Sequence, residues 1–170
     1  MKKLFLLAIL SLLLVTASNA QRYAIIDSKY ILEKLTDYKD AQKKLDQFSE
    51  QWQQEIDQKQ ALVDKMIKDY DAEQVMLSDE LKKKREDELY NKEKELRDLQ
   101  KKRFGFEGDL FKKRQELIKP IQDKVYNAVQ KMAIDRQFEI VFDKSEGITI
   151  IFADPKLDRS DEVLRILGVK

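Results

Sequence analysis

From Asp40 to Met76 the chain carries neither glycine nor proline, and its largest apolar side chains fall on one narrow line. Leu45, Phe48, Trp52, Ile56, Val63, Met66 and Tyr70 recur at intervals of three, four and seven, the spacing of a helix that pairs along a coiled-coil seam. Most residues between them are Lys, Glu, Asp or Gln. A break is signalled at VMLSDEL, where Ser78 suits a helix N-cap and Asp79 and Glu80 suit the first turn. A second pattern then carries Leu81, Leu89, Leu96, Leu99, Phe106, Leu110, Leu117, Ile121 and Val125, again with heptad spacings. Two antiparallel helices turning near Leu77 are the simplest reading. Each arm then holds roughly 39 residues, or about 58 Å at 1.5 Å per residue. A 150-residue globule has a radius of gyration of only about 15 Å.

Two of the four glycines sit inside the second pattern, in KKRFGFEGDLFKKR. If facing residues sum to about 155, as a turn near Leu77 requires, Gly105 and Gly108 lie across from the region of Phe48 and Trp52. A steric reading has the glycines making room for those side chains. A mechanical reading has them soften the arm, because glycine costs about 1 kcal/mol against alanine in a helix. A helix end here is the third reading. A continuous helix is favoured, because Phe106, Leu110 and Leu117 keep the seam in phase.

At the two ends the period changes. Tyr23 to Ile26 reads as a strand, and Asp27 or Ser28 caps a short helix placing Tyr30, Ile31, Leu32 and Leu35 at helical spacing. FEIVFD alternates Phe138, Ile140 and Phe142, KSEG turns the chain, and ITIIF supplies a further strand. Ser160 caps DEVLRIL, a terminal helix ended by Gly168. Pro120 kinks the second pattern or marks its passage into the body. Three short strands cannot form a stable body alone, and with Ile25, Ile26, Val141 and Ile151 both sheet faces are apolar. Self-association is the natural way to cover them.

Residues 1–20 read as an export signal: Lys2 and Lys3, an apolar run from Leu4 to Val15, and a small-residue cleavage site at Ser18-Asn19-Ala20. The apolar run is shorter than the ~20 residues that span a bilayer, and no cysteine follows for lipid attachment. The formal net charge is +1, and loss of Lys2 and Lys3 makes it −1, which argues against nucleic acid as the main partner. With no cysteine and no histidine, thiolate chemistry and the commonest base and metal ligand are missing. No phosphate loop, metal spacing or nucleophile motif stands above the background of abundant carboxylates. The chain is read as non-enzymatic, with no cofactor, catalytic residue or metal ligand.

The order strand, short helix, long helical hairpin, two strands and terminal helix behind an export signal resembles the Skp/OmpH family of periplasmic chaperones. The matching stretches are YAIIDSKYILEKL and IKPIQDKVYNAVQKMAIDRQFEIVFDKSEGITIIFADPKLDRSDEVLRILG. The resemblance implies an α+β, mainly α fold, with a long hairpin (38–117, tip near 77) on a small β body (21–37 and 118–170) formed by trimerization. It implies a homotrimer that holds unfolded outer membrane proteins soluble in the periplasm without nucleotide. Ile25, Ile26, Phe138, Ile140, Val141, Phe142, Ile150, Ile151 and Phe152 are the candidate trimer body, and Gly105 and Gly108 the candidate points of arm flexibility.

Client contact is assigned to Met66, Tyr70, Met76 and Leu77, an adaptable apolar set that is equally readable as hairpin seam, and to Lys82, Lys83, Lys84 and Arg85. The clusters Lys101-Lys102-Arg103 and Lys112-Lys113-Arg114, eleven residues apart, share one face of a continuous helix. They read as solvated charge paired with first-arm acids such as Asp64, Asp69, Asp71 and Glu73. Stable membrane insertion is not expected, while contact with a membrane surface is compatible with this reading. The alternative function is a coiled-coil scaffold or spacer of the cell envelope. A chaperone accepts several unrelated unfolded barrels, whereas a scaffold requires one folded surface.

Overall fold

Apolar Tyr23–Ile26 forms strand β1, and the chain continues through helices α1 (Ser28–Lys34), α2 (Thr36–Glu73), α3 (Asp79–Phe104), α4 (Asp109–Leu117) and α5 (Lys119–Arg136). Strand β2 (Ile140–Asp143), a 3₁₀ turn at Pro155–Leu157 and helix α6 (Ser160–Ile166) follow. This is a computed structural model describing residues 22–145, 147 and 149–169. The export segment and Ile148 of the ITIIF pattern lie outside those residues. The chain divides into two compact units, one from Leu32 to Lys124 and the other joining the segment up to Ile31 with that from Val125 onward.

In the first unit, the 38 residues of α2 span about 57 Å. The seam expected from the heptad spacing is present: Leu45, Ile56 and Val63 are buried. Ile56, Val63 and Leu96 form one core cluster with Ile67 and Leu99 at its margin. Ala41, Ile118 and Ile121 form another, flanked by Leu32, Leu35, Tyr38 and Leu117. On the solvated face of α2 the Gln side chains of Gln42, Gln53 and Gln60 each donate to an Asp four residues on, at 2.9, 2.8 and 2.8 Å, pairs that support a long helix locally. The tip forms as its sequence dictates. Residue Gln74 caps α2, and Ser78 Oγ accepts from the Leu81 N–H at 3.4 Å to start α3.

The second arm is not one helix. It stops at Phe104 and resumes at Asp109, so the expectation of a continuous helix through the glycines is overturned. Within the break Glu107 takes a left-handed φ of 55° while both glycines stay extended. The glycines serve close approach instead. A Cβ on Gly105 would collide with the Lys101 carbonyl oxygen, and one on Gly108 would lie 2.8 Å from the Lys102 oxygen and 2.9 Å from the Gly105 oxygen. The steric demand thus comes from the backbone of the helix that ends there, not from Phe48 or Trp52 directly. Pro120 sits in the first turn of the new helix α5, where its missing N–H is harmless.

In the second unit β1 pairs with β2 in parallel, Tyr23 against Ile140 through Ile26 against Asp143. The other edge of β1 is taken by the Asp158 segment, with the Arg159 N–H donating to the Ile25 carbonyl at 2.8 Å. Among the described residues of ITIIF no strand forms, contrary to expectation, although the outer edge of β2 is left open. Helix α5 ends with Gln137 at φ 58°, the Phe138 N–H reaching back to Ala133 and the Gln137 N–H to Ile134. Helix α6 ends in the same way with Gly168 at φ 82° and bonds from Val169 to Leu164 and from Gly168 to Arg165, a Schellman motif. The core gathers Ala24, Ile25, Ile26, Ile31, Val125, Ala128, Met132, Val163 and Leu164.

Candidate functional site

Three places on the chain concentrate unusual side chains, and each lies within one unit. At the hairpin tip Val75 and Met76 are 87% and 81% exposed, and Leu81 is also exposed. Leu77 is half-buried. Met66 and Tyr70 belong to the seam: with Asp69, Glu73, Arg85 and Leu89 they line a shallow cleft of about 90 Å³. Tyr70 donates its hydroxyl to Glu86 at 2.6 Å, which raises its pKa. Of the expected apolar contact set, Met76 is therefore open and Leu77 partly so, while Met66 and Tyr70 pack between the arms. Val75 was not singled out from sequence, although it stands in the same VMLSDEL stretch.

The tip is also less basic than its lysine run suggests. Arg85 is paired with Glu88 at 3.5 Å and with Glu73 at 4.0 Å, while Lys82, Lys83 and Lys84 make no ion pair among the described residues. Residues 71–90 hold seven acids against four bases, a net charge of −3.

Midway along the arm the helix break is clasped. Arg103 Nη1 lies 2.6 Å from Asp109 Oδ2, and its Nη2 lies 2.9 Å from Glu55 Oε2. Its guanidinium sits 5.0 Å over the Trp52 ring. Trp52 stacks on Phe48 at 5.6 Å and meets Phe104 edge-on at 6.5 Å, and Lys113 covers Phe48 at 5.2 Å. This cluster was not read from sequence. The available signal was that Arg103 occupies a seam position, seven residues after Leu96 and seven before Leu110. The break also dissolves the common face expected for the two upper basic clusters. Arg103 turns to Glu55 and Asp109, and Lys113 pairs with Glu116 at 2.7 Å; of the expected first-arm acids, Glu73 meets Arg85 of the tip cluster instead.

In the other unit a polar network gathers where both strands end. Asp143 Oδ1 accepts from the Ser28 and Ser145 N–H groups at 3.1 and 3.0 Å and from Ser145 Oγ at 2.8 Å. Ser160 Oγ is buried, accepts from the Asp27 N–H at 2.9 Å and donates to Asp158 Oδ1 at 2.6 Å. Ser160 therefore ties strand end to helix start and is not the helix cap; Arg159 holds the cap position without a side-chain bond, and Asp158 accepts from the Ser160 N–H at 2.9 Å in an Asx turn just before it. Burial pushes the Asp143 and Asp158 carboxyls up, but their hydrogen bonds, with Lys144 beside Asp158, outweigh it and hold both below the usual range.

Of the body residues, Ile25 and Ile26 are consumed by the core of this unit. Phe138, half-buried, lies under the Arg22 and Arg159 guanidinium groups at 5.8 and 5.7 Å. Val141, Phe142 and Ile150 are half-buried and Ile140 is exposed, and Ile140, Phe142 and Tyr23 line a groove of about 200 Å³ with Arg22 and Glu139. Ile151 and Phe152 are 97% and 84% exposed. Among the described residues no group of carboxylates is placed to hold a metal ion, and no helix is long and apolar enough to cross a membrane.

These features define a class: a mainly α, α+β chain whose exposed apolar residues are scattered over a hairpin tip, a helix break and a strand margin. The profile of the family described as outer membrane protein (OmpH-like) matches residues 22–167. The chain belongs to that OmpH-like family. Its fold is similar to that of a protein from Caulobacter crescentus CB15 described provisionally as an OmpH-like outer membrane chaperone. That similarity has a TM-score of 0.67 and 14% identity, over 89% of this chain and 86% of that one. No curated protein gives a significant match to the sequence.

Proposed function

We propose that the chain is an ATP-independent holdase of the periplasm, which as a homotrimer shelters unfolded outer membrane proteins between its hairpins. The observation that carries this reading is the family match, which runs from Arg22 to Leu167 and so takes in the hairpin as well as the strand-bearing unit. The scatter of open apolar residues supports it. A holdase needs many weak contacts summed by multivalency, not one deep pocket. Val75, Met76 and Leu77 at the tip supply such contacts, and Lys82, Lys83 and Lys84 add charge whose neighbouring acids keep the surface mixed. The absence of a strand among the described residues of ITIIF supports self-association, because the exposed Ile151 and Phe152 gain a partner when copies meet. The Glu- and Asp-rich surface needs no catalytic role, and the reading is non-enzymatic.

The test is aggregation of a urea-denatured β-barrel membrane protein diluted into buffer. The mature protein at severalfold trimer excess suppresses light scattering without nucleotide, and does so for unrelated barrels. Persistent aggregation at that excess removes the holdase reading. Protection of a single folded partner alone would favour a scaffold.

A further inference from the structure

The two arms change register across the helix break. On the tip side, facing residue numbers add to between 155 and 158, as in Trp52 with Arg103, Trp52 with Phe104, Tyr70 with Glu86, Glu55 with Arg103 and Glu73 with Arg85. Beyond the break the two direct cross-arm pairs, Phe48 with Lys113 and Asp37 with Lys124, both add to 161, and Ala41 shares a cluster with Ile118 and Ile121, sums of 159 and 162. About four residues of the second arm, one helical turn, have been looped out, and Phe106 is 97% exposed as a result. Yet the sequence places Phe106 on the seam: Leu96, Leu99, Arg103, Phe106, Leu110, Lys113 and Leu117 follow one another at steps of three and four. If the loop were wound into a continuous helix with sums staying near 155, Phe106 would come between Phe48 and Trp52, Leu110 opposite Leu45, and Leu117 opposite Tyr38. That register is apolar at every seam step except Arg103 and Lys113.

We infer that residues 105–108 are a one-turn slack in the arm, and that the hairpin has two registers differing by about 5.4 Å of sliding between α4 and α2. Opposing terms hold the balance. The looped register displays Phe106, sets Glu107 in a left-handed conformation, and leaves glycines where alanine would collide. It is kept by the Arg103–Asp109 pair and by Lys113 over the Phe48 ring. The Arg103–Asp109 pair exists only in this register. Six residues along a continuous helix turn through about 600°, placing the two side chains on different faces. The arm can therefore show or withdraw an aromatic side chain at mid-length, and shorten or lengthen by one turn, without melting its tip.

Two substitutions push toward the continuous register by unrelated routes. Asp109→Asn unties the clasp. Gly105→Ala with Gly108→Ala raises helix propensity and introduces Cβ atoms that the loop cannot hold. The chain has no cysteine, so engineered pairs in the full protein report register cleanly. Leu45→Cys with Leu110→Cys reads the continuous register, and Ala41→Cys with Ile118→Cys the looped one. Under mild oxidation the intrachain 45–110 disulfide should form at least threefold faster in both backgrounds, and the 41–118 disulfide more slowly. Unchanged 45–110 rates in either background overturn the inference. Hydrogen exchange without the engineered cysteines gives a second measure. Amides of 105–109 should gain at least tenfold protection in the double alanine variant, and equal or lower protection overturns it too. Neither readout involves a client, so the result is independent of the holdase assay.

Discussion

Arg103 Nη1 stands 2.6 Å from Asp109 Oδ2 although five residues of chain, including two glycines, separate them. The contact joins the last turn of α3 to the first residue of α4 and closes the helix break like a clasp, with Trp52 beneath the guanidinium and Glu55 beside it. The side chains of Arg103 and Asp109 are about four-fifths sheltered, so removing one partner strands the other.

Arg103→Met should therefore lower stability by about 1–3 kcal/mol, the range for hydrogen bonds to charged groups with one partner deleted. A denaturant titration followed by the emission of Trp52, the only tryptophan, measures it. Asp109→Asn added to Arg103→Met should cost much less than it does alone. Full additivity would mean that the clasp carries no coupling.

At the strand ends the prediction concerns acid. Asp143 and Asp158 titrate below the usual carboxylate range in the folded protein, so their contribution is complete above the unfolded pKa of about 3.9. It is lost as pH falls through their lower folded values. The thermal midpoint should stay level from neutrality to about pH 5 and drop below about pH 4. Asp143→Asn should lower the midpoint at pH 7 and reduce that drop. An acid drop of unchanged size in the variant would assign it to other carboxylates.

Gln137 and Gly168 end α5 and α6 with the same hydrogen-bond pattern, and both sit at positive φ. Only one of them is glycine. Gln137→Gly should stabilise by about 0.5–1 kcal/mol and Gly168→Ala should destabilise by about 1 kcal/mol. Paired denaturation curves check the opposite signs.

Ile151 and Phe152 are open in the single chain. Changing both to Asp should leave the far-ultraviolet circular dichroism unaltered, while multi-angle light scattering finds a smaller particle than for the native protein. An unchanged mass places the association surface elsewhere.

Much of this molecule was legible in the sequence because the relevant physics is local. The Ser78 cap, the seam positions Leu45, Ile56 and Val63, the cap of α1 by Asp27 and the glycine stop of α6 each follow from propensity, spacing or a side chain within four residues. Three things needed the tertiary structure. Whether FGFEG winds or loops depends on which aromatic occupies a shared layer, and Phe48, Trp52 and a distant carboxylate, Glu55, decide it. Whether ITIIF adds a strand is not set by its alternation: β2 keeps an open edge, and yet Ile151 and Phe152 stay exposed beyond it. Whether Ser160 caps a helix or bridges to Asp27 depends on a residue 133 positions away. A heptad pattern states which residues want to be buried together; only the packed chain settles which of them, as Leu96 and not Phe106, are buried.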